Sequence, residues 1–254
     1  MLEWTDREVE EFFRLVYAGS VTPERPSSRL YNAVLAVVME ALTFGFSGDE
    51  TNLEGADLVS FQKFKRNSQL FVGHKVHQQA IDMVNAMFLE DGRQVPFEVF
   101  QVDAKSIHEI YNSTWLEVEK SFAERVATNA SRWNELVAEK DALPYLEYVT
   151  VGDARVRPEH AELDGVTKKV TDPFWNVHYP PNGWNCRCIV NQVEDNEGKR
   201  STFDGDNVEI DPMFRKNWGK SNEIFDKKHP YFKVGEEFKE FSKRNFGLPL
   251  DREQ

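Results

Sequence analysis

Apolar residues recur at helical spacing through the first 145 residues. In 4–18, Val9, Phe12, Phe13, Val16 and Tyr17 line one face behind Thr5 or Asp6 as N-cap. In 27–43, Tyr31, Val34, Leu35, Val38 and Leu42 do so behind Ser27 or Ser28, and Val76, Ala80, Val84 and Met87 mark a third helix before a turn at 90–93. The longest stripe runs over 104–140 through Ile107, Tyr111, Trp115, Val118, Phe122, Val126, Trp133 and Val137, broken by Asn129. It reads as a core-facing stripe with a charged, solvated opposite face.

After Pro144 the period changes. "YLEYVTV" (145–151), "VTKKV" (166–170) and "CRCIVNQV" (186–193) have the composition or alternation of short strands, separated by Gly-, Pro- and Asn-rich turns. The expected fold class is therefore α+β. A mostly helical region, 1–144, leads into a small α+β module, 145–192, with short strands and Pro/Gly-rich loops. A polar loop at 193–207 and a closing segment, to 254, follow, with an amphipathic helix expected over 235–245.

Composition narrows the function. Forty per cent hydrophobic residues suffice for a core, and a net charge of −12 argues against gripping duplex DNA along its phosphates. No direct sequence-specific nucleic-acid binding is expected. Residues 1–20 lack a basic segment followed by an apolar one, and the longest apolar run is broken by Glu40, so neither a secretory leader nor a membrane partner is expected.

The chemistry concentrates in "VGDARVRPEHAELDG" (151–165) and "PPNGWNCRC" (180–188), the latter holding both cysteines of the chain. Cys186 and Cys188 point the same way from an extended segment, their Cα atoms about 6.6 Å apart, which strains a disulfide between them. Two thiolates on one side of a turn suit a zinc ion, with His160 and His178 completing a four-ligand set. The alternative is a pair of buried thiols beside two hydrogen-bonded histidines.

These two stretches closely resemble the phage Mu F-like domain of minor head, or head morphogenesis, proteins. The signature T-x-G-D-x-R-V-x-P-x-H/C-x-x-L-D-G spans Thr150 to Gly165, and Pro-Pro-x-x-x-x-Cys-Arg-Cys spans Pro180 to Cys188. The resemblance covers about 145–192. Other members carry Cys-x-x-Cys before the first motif's end and a His before Cys-Arg-Cys; Arg157, His160 and Gly183 stand there in this chain. The resemblance implies a structural, non-enzymatic minor capsid protein of a tailed phage or prophage. It would act at the portal, with the portal protein and other head proteins as partners, in the virion or in host cytoplasm during assembly. Two other readings stay open: a metal-dependent nuclease using His160 or His178 with Asp153 or Asp164, and a delivery module related to those of phage-derived toxins.

The remaining motif residues read as structural. Asp153 and Asp164 beside glycines suit turns that accept backbone N–H bonds, and Arg155 and Arg157 suit salt bridges to Asp153, Glu159 or Asp164. Pro158 stiffens the run before His160, and Gly152 and Gly165 allow sharp turns at its two ends. Phe174, Trp175, Tyr179 and Trp184 are expected as cover, and Pro180, Pro181 and Gly183 as a rigid turn delivering Cys186, Arg187 and Cys188. The two stretches are expected to meet, with His160 close to the cysteines.

Overall fold

The computed structural model describes residues 2–197, 199–221 and 223–243. In chain order it comprises α1 (Asp6–Tyr17), α2 (Ser28–Gly45), α3 (Gly55–Asn85), α4 (Phe97–Glu109), a π-helical turn (Ile110–Trp115) and α5 (Leu116–Ala138). These are followed by β1 (Tyr145–Val149), α6 (Pro158–Ala161), β2 (Thr167–Lys169), α7 (Trp175–His178), β3 (Ile189–Val193), α8 (Trp218–Ser221) and α9 (Lys239–Ser242). The fold is α+β. Of the helix expected over 235–245, the described part is a 3₁₀ turn (Glu236–Phe238) and α9; residues 244–245 lie outside the described residues.

The chain divides into two compact units. Unit 1 comprises 1–39, 66–120 and 228–254. Its α1 starts at a capping box, in which Thr5 Oγ accepts from Glu8 N and the Glu8 carboxylate accepts from Thr5 N. Phe12, Phe13 and Val16 are buried on one face of α1, as the spacing predicts. At the centre of unit 1 the fully buried Lys75 ammonium donates to both Glu119 carboxylate oxygens, at 2.9 and 2.7 Å. The rings of Tyr111 and Tyr231 lie 5.6 and 5.4 Å from it.

The π-helical turn corrects the long stripe. The wider turn takes Trp115 off the buried face, while Phe122, Val126 and Trp133 of the stripe stay buried beyond it. The buried face of this region runs through Ala104, His108, Tyr111, Asn112, Leu116 and Glu119, and the expected core residue Trp115 is 42% exposed.

Unit 2 comprises 40–65 and 121–227. Its sheet has the order β2-β1-β3, antiparallel throughout, with Glu147 opposite Thr167 on one side and Asn191 on the other. Leu146 and Tyr148 alternate onto the buried face of β1, and Val190 faces Tyr148 across the register. Residues 121–138 of α5 back this module: Trp133 meets Tyr179 edge-on at 4.9 Å, and Phe122 packs on Trp184, Phe214 and Trp218 at 4.7–5.4 Å. The region after β3 closes over the proline turn, with Trp218 Nε1 donating to Pro181 O (3.0 Å) and Asn217 Nδ2 to Trp175 O (3.0 Å). No helix among the described residues is long and apolar enough to cross a membrane.

Candidate functional site

The first motif stretch leaves β1 and returns beside it. Gly152 and Gly165 both sit at positive φ, 68° and 72°, where a side chain would be strained. Asp164 closes the excursion: its Oδ1 accepts from Thr150 N (2.7 Å) and Thr150 Oγ (2.8 Å), and Gly165 N donates to Tyr148 O (2.8 Å). Pro158 takes the first position of α6, where its missing N–H costs nothing, and one turn of helix then buries His160.

The second stretch is pinned from several sides. Asn182 is its hub. Its Oδ1 accepts from the buried Tyr148 hydroxyl (3.1 Å), its amide faces Val177 O and Phe214 O, and its carbonyl faces His160 Nε2 at 3.2 Å. A Cβ on Gly183 would sit 3.1 Å from Arg157 Nη1, so any other residue there would push that guanidinium aside by a few tenths of an ångström. Arg157 Nη2 donates to Trp184 O (2.6 Å), and Arg125 Nη1 donates to Cys186 O (3.1 Å). Asn185 takes the left-handed conformation (φ 56°), which asparagine tolerates.

These constraints converge on one cluster. His160 Nδ1 lies 3.6 Å from Cys186 Sγ and 3.7 Å from Cys188 Sγ. The three atoms lie within 4.8 Å of one another, on residues 3%, 3% and 5% exposed. Both cysteines are free thiols. A backbone carbonyl only accepts, so Nε2 carries the imidazole proton and Nδ1 turns its lone pair on the two sulfurs. The hydrogen bond from Cys188 holds the Cys186 thiol well down, and that same bond pushes Cys188 up. Burial raises Tyr148 well above its ordinary range, and its hydroxyl also reaches Cys188 Sγ. A cavity of about 20 Å³ adjoins the cluster, with Arg155, Arg157, Asn185 and Arg187 among its walls.

Residues 104–191 match the family described as Phage Mu protein F like protein. Over that segment the chain is similar to the Mu F-like family. Two relatives align with about a quarter of the chain. The "Putative capsid assembly protein F" of Escherichia phage Mu is 50% identical over 66 residues, 26% of this chain and 15% of that protein. The "Mu-like prophage FluMu F protein" of Haemophilus influenzae is 39% identical over 69 residues, 27% of this chain and 17% of that protein. The chain thus matches less than a fifth of the length of either relative. No solved structure matches it.

Within the Mu F-like segment, several motif residues stand where the sequence alone did not put them. His178 is outside the cluster formed, among the described residues, by His160, Cys186 and Cys188. It ends α7, stacks on Phe174 (4.4 Å), sets Nδ1 3.2 Å from Phe174 O and lies against Gly205, and these contacts hold it away from the sulfurs. The carboxylate of Asp153 pairs with Arg187, not Arg155 or Arg157, through bonds of 2.7 and 2.8 Å. Its backbone bond from Arg155 N (3.0 Å) turns the loop so that Arg187 faces it. Arg187 holds the Asp153 carboxyl down at about 2. Trp175 is fully buried, with Nε1 donating to Lys169 O (3.0 Å), whereas Trp184 is half-buried on Phe122 and Phe214. Asn182, Tyr148 and Arg125 are the supporting residues that sequence reasoning missed; the Asn inside Pro-Pro-Asn-Gly reads only as a turn former.

Proposed function

We propose that this chain is a structural component of head assembly in a tailed phage or prophage, a minor capsid protein acting at the portal with other head proteins. The observation that carries the reading is the match over 104–191, together with the assembly role in the printed name of the phage Mu relative. The site agrees in kind. Its hydrogen bonds and ion pairs are spent on joining two loops to a sheet and a helix, as suits a rigid docking module. A nuclease is less well supported. Asp153 is paired with Arg187, Asp164 caps Thr150, and the cavity of about 20 Å³ beside His160 is an order of magnitude smaller than a small-molecule site of about 300 Å³ or more. The site of action is the host cytoplasm during assembly, and then the virion.

The experiment is affinity purification of a tagged chain from cells producing the phage, with co-purifying proteins identified by mass spectrometry. Portal and head proteins in stable proportion support the proposal. Their absence from a folded, purified chain, while proheads form in the same cells, refutes it.

A further inference from the structure

We infer that His160 Nδ1, Cys186 Sγ and Cys188 Sγ bind one zinc ion whose fourth ligand is a water molecule in the adjoining cavity. The inference stands on the cluster itself and not on the head-assembly reading.

The spacing is that of a coordination shell. A tetrahedral zinc with Zn–S of about 2.3 Å and Zn–N of about 2.0–2.1 Å holds nitrogen and sulfur about 3.6 Å apart. His160 Nδ1 stands 3.6 and 3.7 Å from the two sulfurs. The imidazole is prepared for the role. Its Nε2–H is committed to Asn182 O, the arrangement that orients a metal-bound histidine and leaves the other nitrogen free to ligate. Without a cation that single lone pair faces two sulfurs and satisfies at most one thiol well; one cation satisfies all three donors. The Cys186 sulfur also accepts from the Cys188 backbone N–H, a bond that favours the thiolate.

The set is complete at three. His178, the fourth ligand expected from sequence, is held elsewhere by Phe174 and Gly205, and the cluster of described residues contains no carboxylate. What adjoins the three donors is a cavity of about 20 Å³, enough for one water, which needs about 10–15 Å³. Arg155, Arg157 and Arg187 line it, and such charge opposes a bare dication. Two thiolates and a neutral imidazole cancel the charge of Zn²⁺, however, so the complex presents no net charge to the arginines. Binding leaves both sulfurs as thiolates and displaces whatever protons they carry, with no change of oxidation state.

The test is metal content and zinc-edge X-ray absorption of the full chain, purified from zinc-supplemented cells under a non-chelating phosphine reductant. The expected result is about one zinc per chain, with two sulfurs, one imidazole and one further oxygen around it. His160→Ala, Cys186→Ser and Cys188→Ser each reduce the content at least fivefold, and His178→Ala leaves it unchanged. Folded wild-type chain with reduced cysteines and no zinc overturns the site. A spectrum with two imidazoles, or loss of zinc in a folded His178→Ala, overturns the three-residue shell. The wild-type measurements decide the question even where a variant does not fold.

Discussion

Asn182→Ala tests whether the proline turn is held by its side chain. The substitution removes the acceptor of a Tyr148 hydroxyl that is fully buried, with an O···O distance of 3.1 Å. An orphaned buried donor costs about 1–3 kcal/mol. The amide bonds to Val177 O and Phe214 O, at 3.5 and 3.4 Å, are long and add little. The missing carboxamide leaves a void worth about 1 kcal/mol. The Cys188 sulfur, a weak acceptor within reach of the same hydroxyl, recovers part of the loss. The expected cost is about 2–3 kcal/mol. Tyr148→Phe should cost about 1 kcal/mol, and the double variant less than the sum by about 1 kcal/mol, because the orphaned hydroxyl is gone. Urea unfolding followed by tryptophan fluorescence reads this directly, since Trp133, Trp175, Trp184 and Trp218 all belong to unit 2. Strict additivity, or a cost below about 0.5 kcal/mol for Asn182→Ala, refutes the reasoning.

Three further outcomes are expected. Gly45→Ala places a Cβ 2.5 Å from Ala127 Cβ and 2.6 Å from Glu124 O within unit 2, and should cost about 1–3 kcal/mol or more, read as a lowered melting temperature; an unchanged melting temperature contradicts the close crossing. Lys75→Met leaves Glu119 buried without its cation and should cost about 3–5 kcal/mol in urea unfolding, most of it recovered by adding Glu119→Leu; no recovery contradicts a pairwise origin. The Asp153 carboxyl, depressed to about 2 by Arg187, contributes stability that is fully present above its unfolded value of about 3.9 and is lost as pH falls toward about 2. A carbon-13 titration should place it near 2 in the wild type and nearer its ordinary value in Arg187→Ala; the same value in both contradicts the pairing.

The sequence was most legible where one period persists. α1, α2 and the three strands lie within a few residues of the places that helical spacing and strand-like composition marked for them. Helix α3 extends well upstream of the four residues that marked it, since its buried face includes Ser68, Lys75 and Gln79, whose polarity masks the stripe. Trp115 was misplaced by the π-helical turn, which changes the period without any residue that announces it. At the site, the meeting of His160 with the cysteines was legible from the turn formers at the ends of both stretches. The exclusion of His178 was not, because it depends on a close approach by Gly205, far along the chain. Nor was the partner of His160 Nε2, a backbone carbonyl that any residue at 182 would supply.

The central claim is that 151–165 and 180–188 form one braced unit joined through His160 and the two cysteines. Amide hydrogen exchange of the full-length wild type and of His160→Ala tests it most directly. The account predicts faster exchange in both stretches together, while β1 and residues 121–138 of α5 keep their protection. Faster exchange confined to the neighbourhood of residue 160, with 180–188 as protected as in the wild type, would contradict it.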